Sequence, residues 1–292
     1  MYRTYSLLLI LMGFACQPTA SSEEAANEIA PDDTALLVDS LLYFRHQHQT
    51  TDIVSRYRPD LTREQAIALQ LAMLERELAA GAHLVGWKMG GTVTDDSASY
   101  DPVFGYILDR NLIEEDSTVA AEHFPAGQVM VEGELGFVLS KDFPSGVASV
   151  EALKDGIDYV VGAVEFAQAT AVPHPDDTAP LPIDYVLAAG MGQAGTIIND
   201  QPLSLEEIDI GNETVVCFIN GEKVAEGSAT RVYQGPLHAL YSLANLLPEH
   251  GQHLKKGDLV ITGSLYDNPT IDSTSQVRLE YSQLGTITFE MK

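Results

Sequence analysis

Residues 131–139 read Val-Glu-Gly-Glu-Leu-Gly-Phe-Val-Leu. From Leu135 onward this is the apolar run of a buried strand, yet it opens on two acids, Glu132 and Glu134. Alternate residues of a strand share a face, so both carboxylates point the same way, with α-carbons roughly 7 Å apart. Gly133 stands between them and leaves the opposite face open. Two like charges on a buried strand are costly unless something positive sits beside them. Taken alone, the pair has a simpler reading: Glu132 at a water-facing strand start, with Glu134 alternating outward beside it.

A third acid makes the simpler reading harder to hold. Glu165 lies inside the apolar run Ala163-Val164-Glu165-Phe166-Ala167, and an unpaired buried Glu is rare. Three carboxylates on strand-like segments, with few cations nearby in sequence, suggest a hard divalent ion. Mg²⁺ or Mn²⁺ prefers oxygen ligands and keeps water positions open to a substrate. The Cys and His spacing gives no zinc pattern. Lys88 stands out next, in Gly-Trp-Lys-Met-Gly at 86–90. It is placed to pair with a substrate carboxylate or a developing enolate, or else to snorkel outward.

Around these residues the pattern is mixed. Leu37, Leu41 and Phe44 recur at helical spacing over 34–46. Thr62 to Gln65 reads as a capping box, followed by a stripe of Ile67, Leu71, Leu74 and Leu78, with a stop at Gly81. From about Val129 the chain turns to short apolar runs separated by turn signals, including an Asn220-Gly221 hairpin. One helix interrupts them, from Pro236, with Leu237, Leu240, Tyr241, Ala244 and Leu247 on one side. The expected class is α+β, with a helical region over 34–118 and a β-rich catalytic core over 119–292. The proline-rich segment 173–182 is a loop and a candidate lid, with His174 as a solvated residue in it.

The first residues read as an export signal. Arg3, an apolar run from Leu7 to Met12 and small residues before Cys16 follow signal-peptide order. The pattern resembles a lipoprotein signal over 1–16 with Cys16 as the lipid-attachment residue, the alternative being ordinary cleavage near Ala20. Residues 17–33 are polar and small and read as a tether. The expectation is an exported, periplasmic, membrane-anchored lipoprotein, held to the membrane only through Cys16. With Cys16 lipidated, Cys217 has no disulfide partner, and its apolar setting makes it a buried thiol. The chain carries 16 Lys+Arg against 42 Asp+Glu, a net charge of −26. That balance argues against nucleic acid or an anionic membrane surface as partner.

In order and spacing, these segments resemble the fumarylacetoacetate hydrolase superfamily from about Leu61 to the C-terminus. The nearer branch is that of the 2-keto-4-pentenoate hydratases and 4-oxalocrotonate decarboxylases. The segment around Gly86-Trp87-Lys88-Met89-Gly90 resembles the family's Gly-X-Lys-X-Gly, and Phe104-Gly105 its Phe-Gly pair. Glu132 and Glu134 fall on two metal ligands and Glu165 on the third, where the fumarylpyruvate hydrolases usually carry Asp. Thr262-Gly263-Ser264 resembles the Thr-Gly-Ser segment that contributes substrate-binding residues. The resemblance implies a mixed β-roll core, bound Mg²⁺ or Mn²⁺, a small 2-oxo acid substrate and a homo-oligomer.

Lys88 would then be catalytic, stabilising an anion or relaying a proton. Asp184, in Pro-Ile-Asp-Tyr-Val, is the second catalytic candidate, with a water-facing position at a loop or strand end as its alternative. Part of the substrate-facing pattern departs from the family. Ala188-Ala189-Gly190 replaces a polar stretch, and Gln234-Gly235-Pro236 replaces Gly-His-Pro. Three functions follow: a hydratase of a small unsaturated 2-oxo acid, a decarboxylase or C–C bond hydrolase with the same fold and metal, or an exported binding protein that has lost catalysis.

Overall fold

The protein is described by a computed structural model covering residues 33–124, 129–175 and 180–292. The signal-like segment, Cys16 and the tether up to residue 32 lie outside the described residues, as does part of the proline-rich loop. Among the described residues, no helix is long and apolar enough to cross a membrane.

Helix α1, Thr34–His46, starts where the Asp33 carboxylate accepts a hydrogen bond from Leu36 N at 2.9 Å. It buries Leu37, Val38, Leu41 and Leu42, and a short helix α2, Ile53–Tyr57, follows. Helix α3, Arg63–Ala79, opens with the predicted capping box between Thr62 and Gln65. Its apolar stripe is rotated from the predicted one. Ile67 and Leu74 are buried, but Leu78 is exposed, and Ala66, Leu69, Gln70, Met73 and Glu77 are buried instead. The cause is tertiary: α3 packs on α1, on the later helix α5, Ile183–Ala188, and against the main sheet. There Gln70 donates to the carbonyl of Phe104 at 2.9 Å, so a polar residue earns an interior position.

Two sheets form the core, and the class is the expected α+β. The larger sheet uses β1 Leu84–Gly90, β2 Val103–Leu108, β3 Leu112–Ile113, β5 Val129–Leu139, β6 Ile157–Ala167, β7 Gln193–Ile198, β10 Leu259–Ile261 and β11 Thr270–Ile271. Its order is β2-β1-β10-β5-β6-β7-β3, with β11 also on β5, and it curls into a half-barrel. The smaller sheet runs β4-β13-β12-β8-β9, from β4 Thr118–Val119, β8 Thr214–Ile219, β9 Glu222–Ser228, β12 Gln276–Tyr281 and β13 Thr286–Met291. The β8–β9 turn is the Asn220-Gly221 hairpin, both residues having positive φ. Helix α4, Val150–Lys154, and helix α6, Pro236–Glu249, complete the elements.

Close approach of the sheets explains Gly133. A Cβ there would lie 2.6 Å from the Tyr266 ring and 3.0 Å from Leu279. The face expected to be open is filled by the second layer, because a residue without a side chain lets the two layers meet. Gly133 therefore holds the acid-bearing strand against the smaller sheet.

Candidate metal centre and active site

The site grows out of strand register. β5 and β6 are antiparallel neighbours, and Glu132 is paired directly with Glu165. Glu134, two residues along β5, shares the Glu132 face. One carboxylate oxygen from each of the three acids lies within 4.8 Å of the others. Glu134 and Glu165 are fully buried, and Glu132 is half-buried at the edge of the group. The simpler reading of an outward Glu134 does not hold.

Lys88 joins this group from β1 rather than snorkelling to solvent. It is 4% exposed, with its Nζ 3.0 Å from Glu165 Oε1 and 3.4 Å from the carbonyl of Met191. Gly105, the residue opposite it on β2, leaves the room for this packing: a Cβ there would lie 2.8 Å from Met191 Cβ and 3.1 Å from the Lys88 side chain. Glu134 is fixed from the other side by Gly263, whose N–H donates to Oε2 at 2.8 Å. Gly263 sits at φ +105°, and a Cβ there would meet Thr92 Oγ1 at 2.1 Å, so glycine is required. Asn268 Nδ2 donates to Glu132 Oε1 at 2.8 Å.

The electrostatics are those of a cation site. Three carboxylates face one ammonium. Burial is the main force on Glu165, carrying it from its ordinary 4.5 to about 7, although Lys88 pulls the other way. Burial, then Glu165 and Glu132, push Glu134 well above the usual carboxylate range. Burial works against the charge of Lys88, but the three acids outweigh it and raise the ammonium above its ordinary value. Glu134 Oε1 and Glu165 Oε2 are buried with no hydrogen-bond partner. Orphaned oxygens at the meeting point of three acids fit a hard divalent ion, which supplies the charge the protein lacks.

Thermal stability checks this fit. Between pH 4.5 and about 7 the folded protein keeps a proton on Glu165 that the unfolded chain has released. The native state then binds more protons, so stability without a divalent ion falls as pH rises through that window. An ion that replaces the proton should raise Tm by more at about pH 8 than at about pH 5.5. Melting curves with and without Mn²⁺ should show this difference. An ion-induced shift equal at both pH values would contradict the charge balance described.

Glu132 and Lys88 border a cleft of about 320 Å³, also lined by Gly263, Ser264, Met191, Arg231, Tyr266 and Asn268, while Glu134 and Glu165 lie buried behind them. Ser264 Oγ donates to the Tyr266 carbonyl at 3.0 Å. Thr262 is fully buried and is not among the lining residues. Its hydroxyl lies 3.4 Å from the Leu135 carbonyl and its own carbonyl accepts from Thr92 at 3.1 Å. Asp184 is not brought to this group. It lies in the first turn of α5, ion-paired with Arg63, which also binds Asp101. Cys217 is buried, and burial pushes its thiol up to about 11. The segment Ala188-Ala189-Gly190 lacks polar side chains, but the chain just beyond it still forms a wall of the cleft through Met191.

A family profile described as fumarylacetoacetate (FAA) hydrolase C-terminal matches residues 75–292. The chain belongs to this family. It is 25% identical over 258 residues to 2-oxo-hept-4-ene-1,7-dioate hydratase of Escherichia coli, covering 86% of this chain and 95% of that protein. It is 24% identical over 243 residues to 4-oxalocrotonate decarboxylase of Pseudomonas putida, covering 82% and 89%. Among solved structures, 4-oxalocrotonate decarboxylase from Pseudomonas putida G7, complexed with magnesium and adipate, shares the fold. That match has a TM-score of 0.80 at 22% identity and covers 90% of this chain and 99% of that one. The relatives of this family member thus include both hydratases and decarboxylases.

Sequence reasoning missed Asn268, Arg231, Met191 and Tyr266. Each comes from a loop or short turn with no periodicity, and only the folded sheet brings it to the acids. The Gly263 N–H was missed differently: a backbone donor leaves no mark in side-chain identity.

Proposed function

We propose that this protein is a divalent-metal-dependent hydratase of a small unsaturated 2-oxo acid. The observation that carries the reading is the convergence of Glu132, Glu134 and Glu165 beside the buried ammonium of Lys88. The three acids would hold the ion. When bound, Mg²⁺ or Mn²⁺ supplies Lewis acidity for the negative charge that a 2-oxo acid develops at its keto oxygen on losing a proton. The protein's own groups do the rest. Lys88 adds a fixed positive charge at the cleft wall and is the group placed to hold or relay a proton. Its ion pair with Glu165 fixes the position of that ammonium beside the three acids.

Water addition also needs an acceptor to orient the incoming water. Asn268 lines the cleft, and its Oδ1 is buried without a hydrogen-bond partner while Nδ2 is used on Glu132. That free acceptor favours hydration over decarboxylation, which needs no water held at carbon. The similarity to named hydratases supports the reaction class. Decarboxylation remains the second reading, because named decarboxylases match about as well.

Purified protein with Mg²⁺ should consume 2-hydroxypenta-2,4-dienoate, with loss of the dienol absorbance that depends on the ion. Given 4-oxalocrotonate, it should not release CO₂. Release of CO₂ without hydration would replace this reading by the decarboxylase. Ion binding with no turnover of either compound would leave a binding protein.

A further inference from the structure

We propose that Arg231 makes this cleft selective for a 2-oxo diacid, by taking the carboxylate at the end of the substrate remote from its 2-oxo group. The proposal rests on the functional reading above, since it assumes that the 2-oxo end is held at Glu132, Glu134 and Glu165.

Among the residues lining the cleft, the cations are Lys88 and Arg231. They differ in depth and in availability. The Lys88 side chain is 5% exposed and committed to Glu165. The Arg231 side chain is 34% exposed, so it stands toward the mouth. Its backbone is well fixed. Arg231 ends a short 3₁₀ turn, Val232 pairs with Val93, and Tyr233 N donates to the Thr92 carbonyl at 2.8 Å. Val93 and Thr92 are themselves cleft residues.

The guanidinium has unused capacity. Its Nη2 donates to Asp267, a side chain that is 93% exposed, so that pair is screened by solvent and weak. Its Nε is buried and has no hydrogen-bond partner. Asp267 is followed directly by Asn268, which donates to Glu132. One dipeptide thus ties the guanidinium and a candidate metal ligand to the same wall. A substrate anchored by its 2-oxo end at the acids would run along that wall toward Arg231.

A carboxylate at that end matches the guanidinium fork with two parallel N–H···O bonds. An apolar end would leave the buried Nε–H unpaired, a penalty that discriminates strongly between otherwise similar ligands. The cleft should therefore distinguish two 2-oxo acids of equal chain length by the group at the far end.

The test is calorimetric binding to the Mn²⁺-loaded full chain, using unreactive saturated probes: 2-oxoadipate as the diacid and 2-oxohexanoate as the monoacid. Wild-type protein should bind the diacid at least tenfold more tightly. Arg231→Gln should lose most of that preference, leave the monoacid within about twofold, and bind Mn²⁺ with unchanged affinity, which shows an intact site. Arg231→Lys, which keeps the charge without the fork, should recover only part of the preference. Equal binding of both probes by wild type, or equal weakening of both by Arg231→Gln, would overturn the proposal. Failure of both probes to bind while Mn²⁺ does would instead remove the functional reading beneath it. A diacid preference in a protein that turns over no substrate would keep the subsite and reject the reaction.

Discussion

Glu134→Gln should abolish divalent-ion binding while leaving the fold standing. Glu134 is fully buried, and its Oε1 has no hydrogen-bond partner. A Gln side chain keeps the shape and still offers an oxygen to the Gly263 N–H. It removes one of three charges on which a hard cation depends, so Mn²⁺ affinity should fall by at least about 100-fold. Without an ion the variant should melt at or above the wild-type temperature, because a buried, strained carboxylate is gone. Titration calorimetry and melting curves together read both effects. Wild-type affinity for Mn²⁺ in this variant would overturn the assignment of Glu134.

Lys88→Met should be damaging in two separable ways. Met fills a similar volume but leaves Glu165 without the ammonium that now sits 3.0 Å away. Removing one partner of a buried ion pair costs about 3–5 kcal/mol. The cost depends on pH in a stated direction. Glu165 is pushed up to about 7 even with Lys88 present, so in acid it is neutral and misses the ammonium less. Destabilisation of the ion-free variant should be large at about pH 8 and smaller at about pH 5.5. Activity should fall by about 10²–10⁴-fold, the usual worth of a positioned proton donor or acceptor. Restoring stability with saturating Mn²⁺ without restoring turnover would separate the two roles. A Lys88→Met enzyme with full activity would remove Lys88 from the chemistry.

These expectations show what the sequence made legible. The Glu132-Gly133-Glu134 spacing and the isolated Glu165 pointed to one face and one ion, because strand periodicity carries side-chain direction. The register that pairs Glu132 with Glu165 depends on which strands become neighbours, and no local pattern states that. Lys88 was legible as an anomaly in an apolar strand. Its target was not, since β10 and β5 lie between β1 and β6 in the flat order of the sheet and only the curl brings Lys88 to Glu165. The three longer helices, α1, α3 and α6, were found and the short helices α2, α4 and α5 were not; the buried face of α3 was misplaced, because the helix has partners on more than one side. Asp184 shows the converse. A motif position suggested chemistry, and the fold spends that carboxylate on Arg63.

Gly133 and Gly105 carry a related lesson. Gly133 was readable as a glycine between two functional residues, and Gly105 as half of a Phe-Gly pair. Their physical tasks, letting the Tyr266 ring and Leu279 of the second sheet approach the acid-bearing strand and leaving room for Met191 and Lys88, belong to packing between elements remote in sequence.

The most direct test of the central claim is the product formed from 2-hydroxypenta-2,4-dienoate by the Mg²⁺- or Mn²⁺-loaded protein, read by carbon NMR. Hydration places a new hydroxyl-bearing carbon at position 4, the carboxylate is retained, and the signal should vanish in Glu134→Gln. An unchanged spectrum at saturating substrate from protein shown to hold the ion, or formation of the same product by Glu134→Gln, would contradict the account.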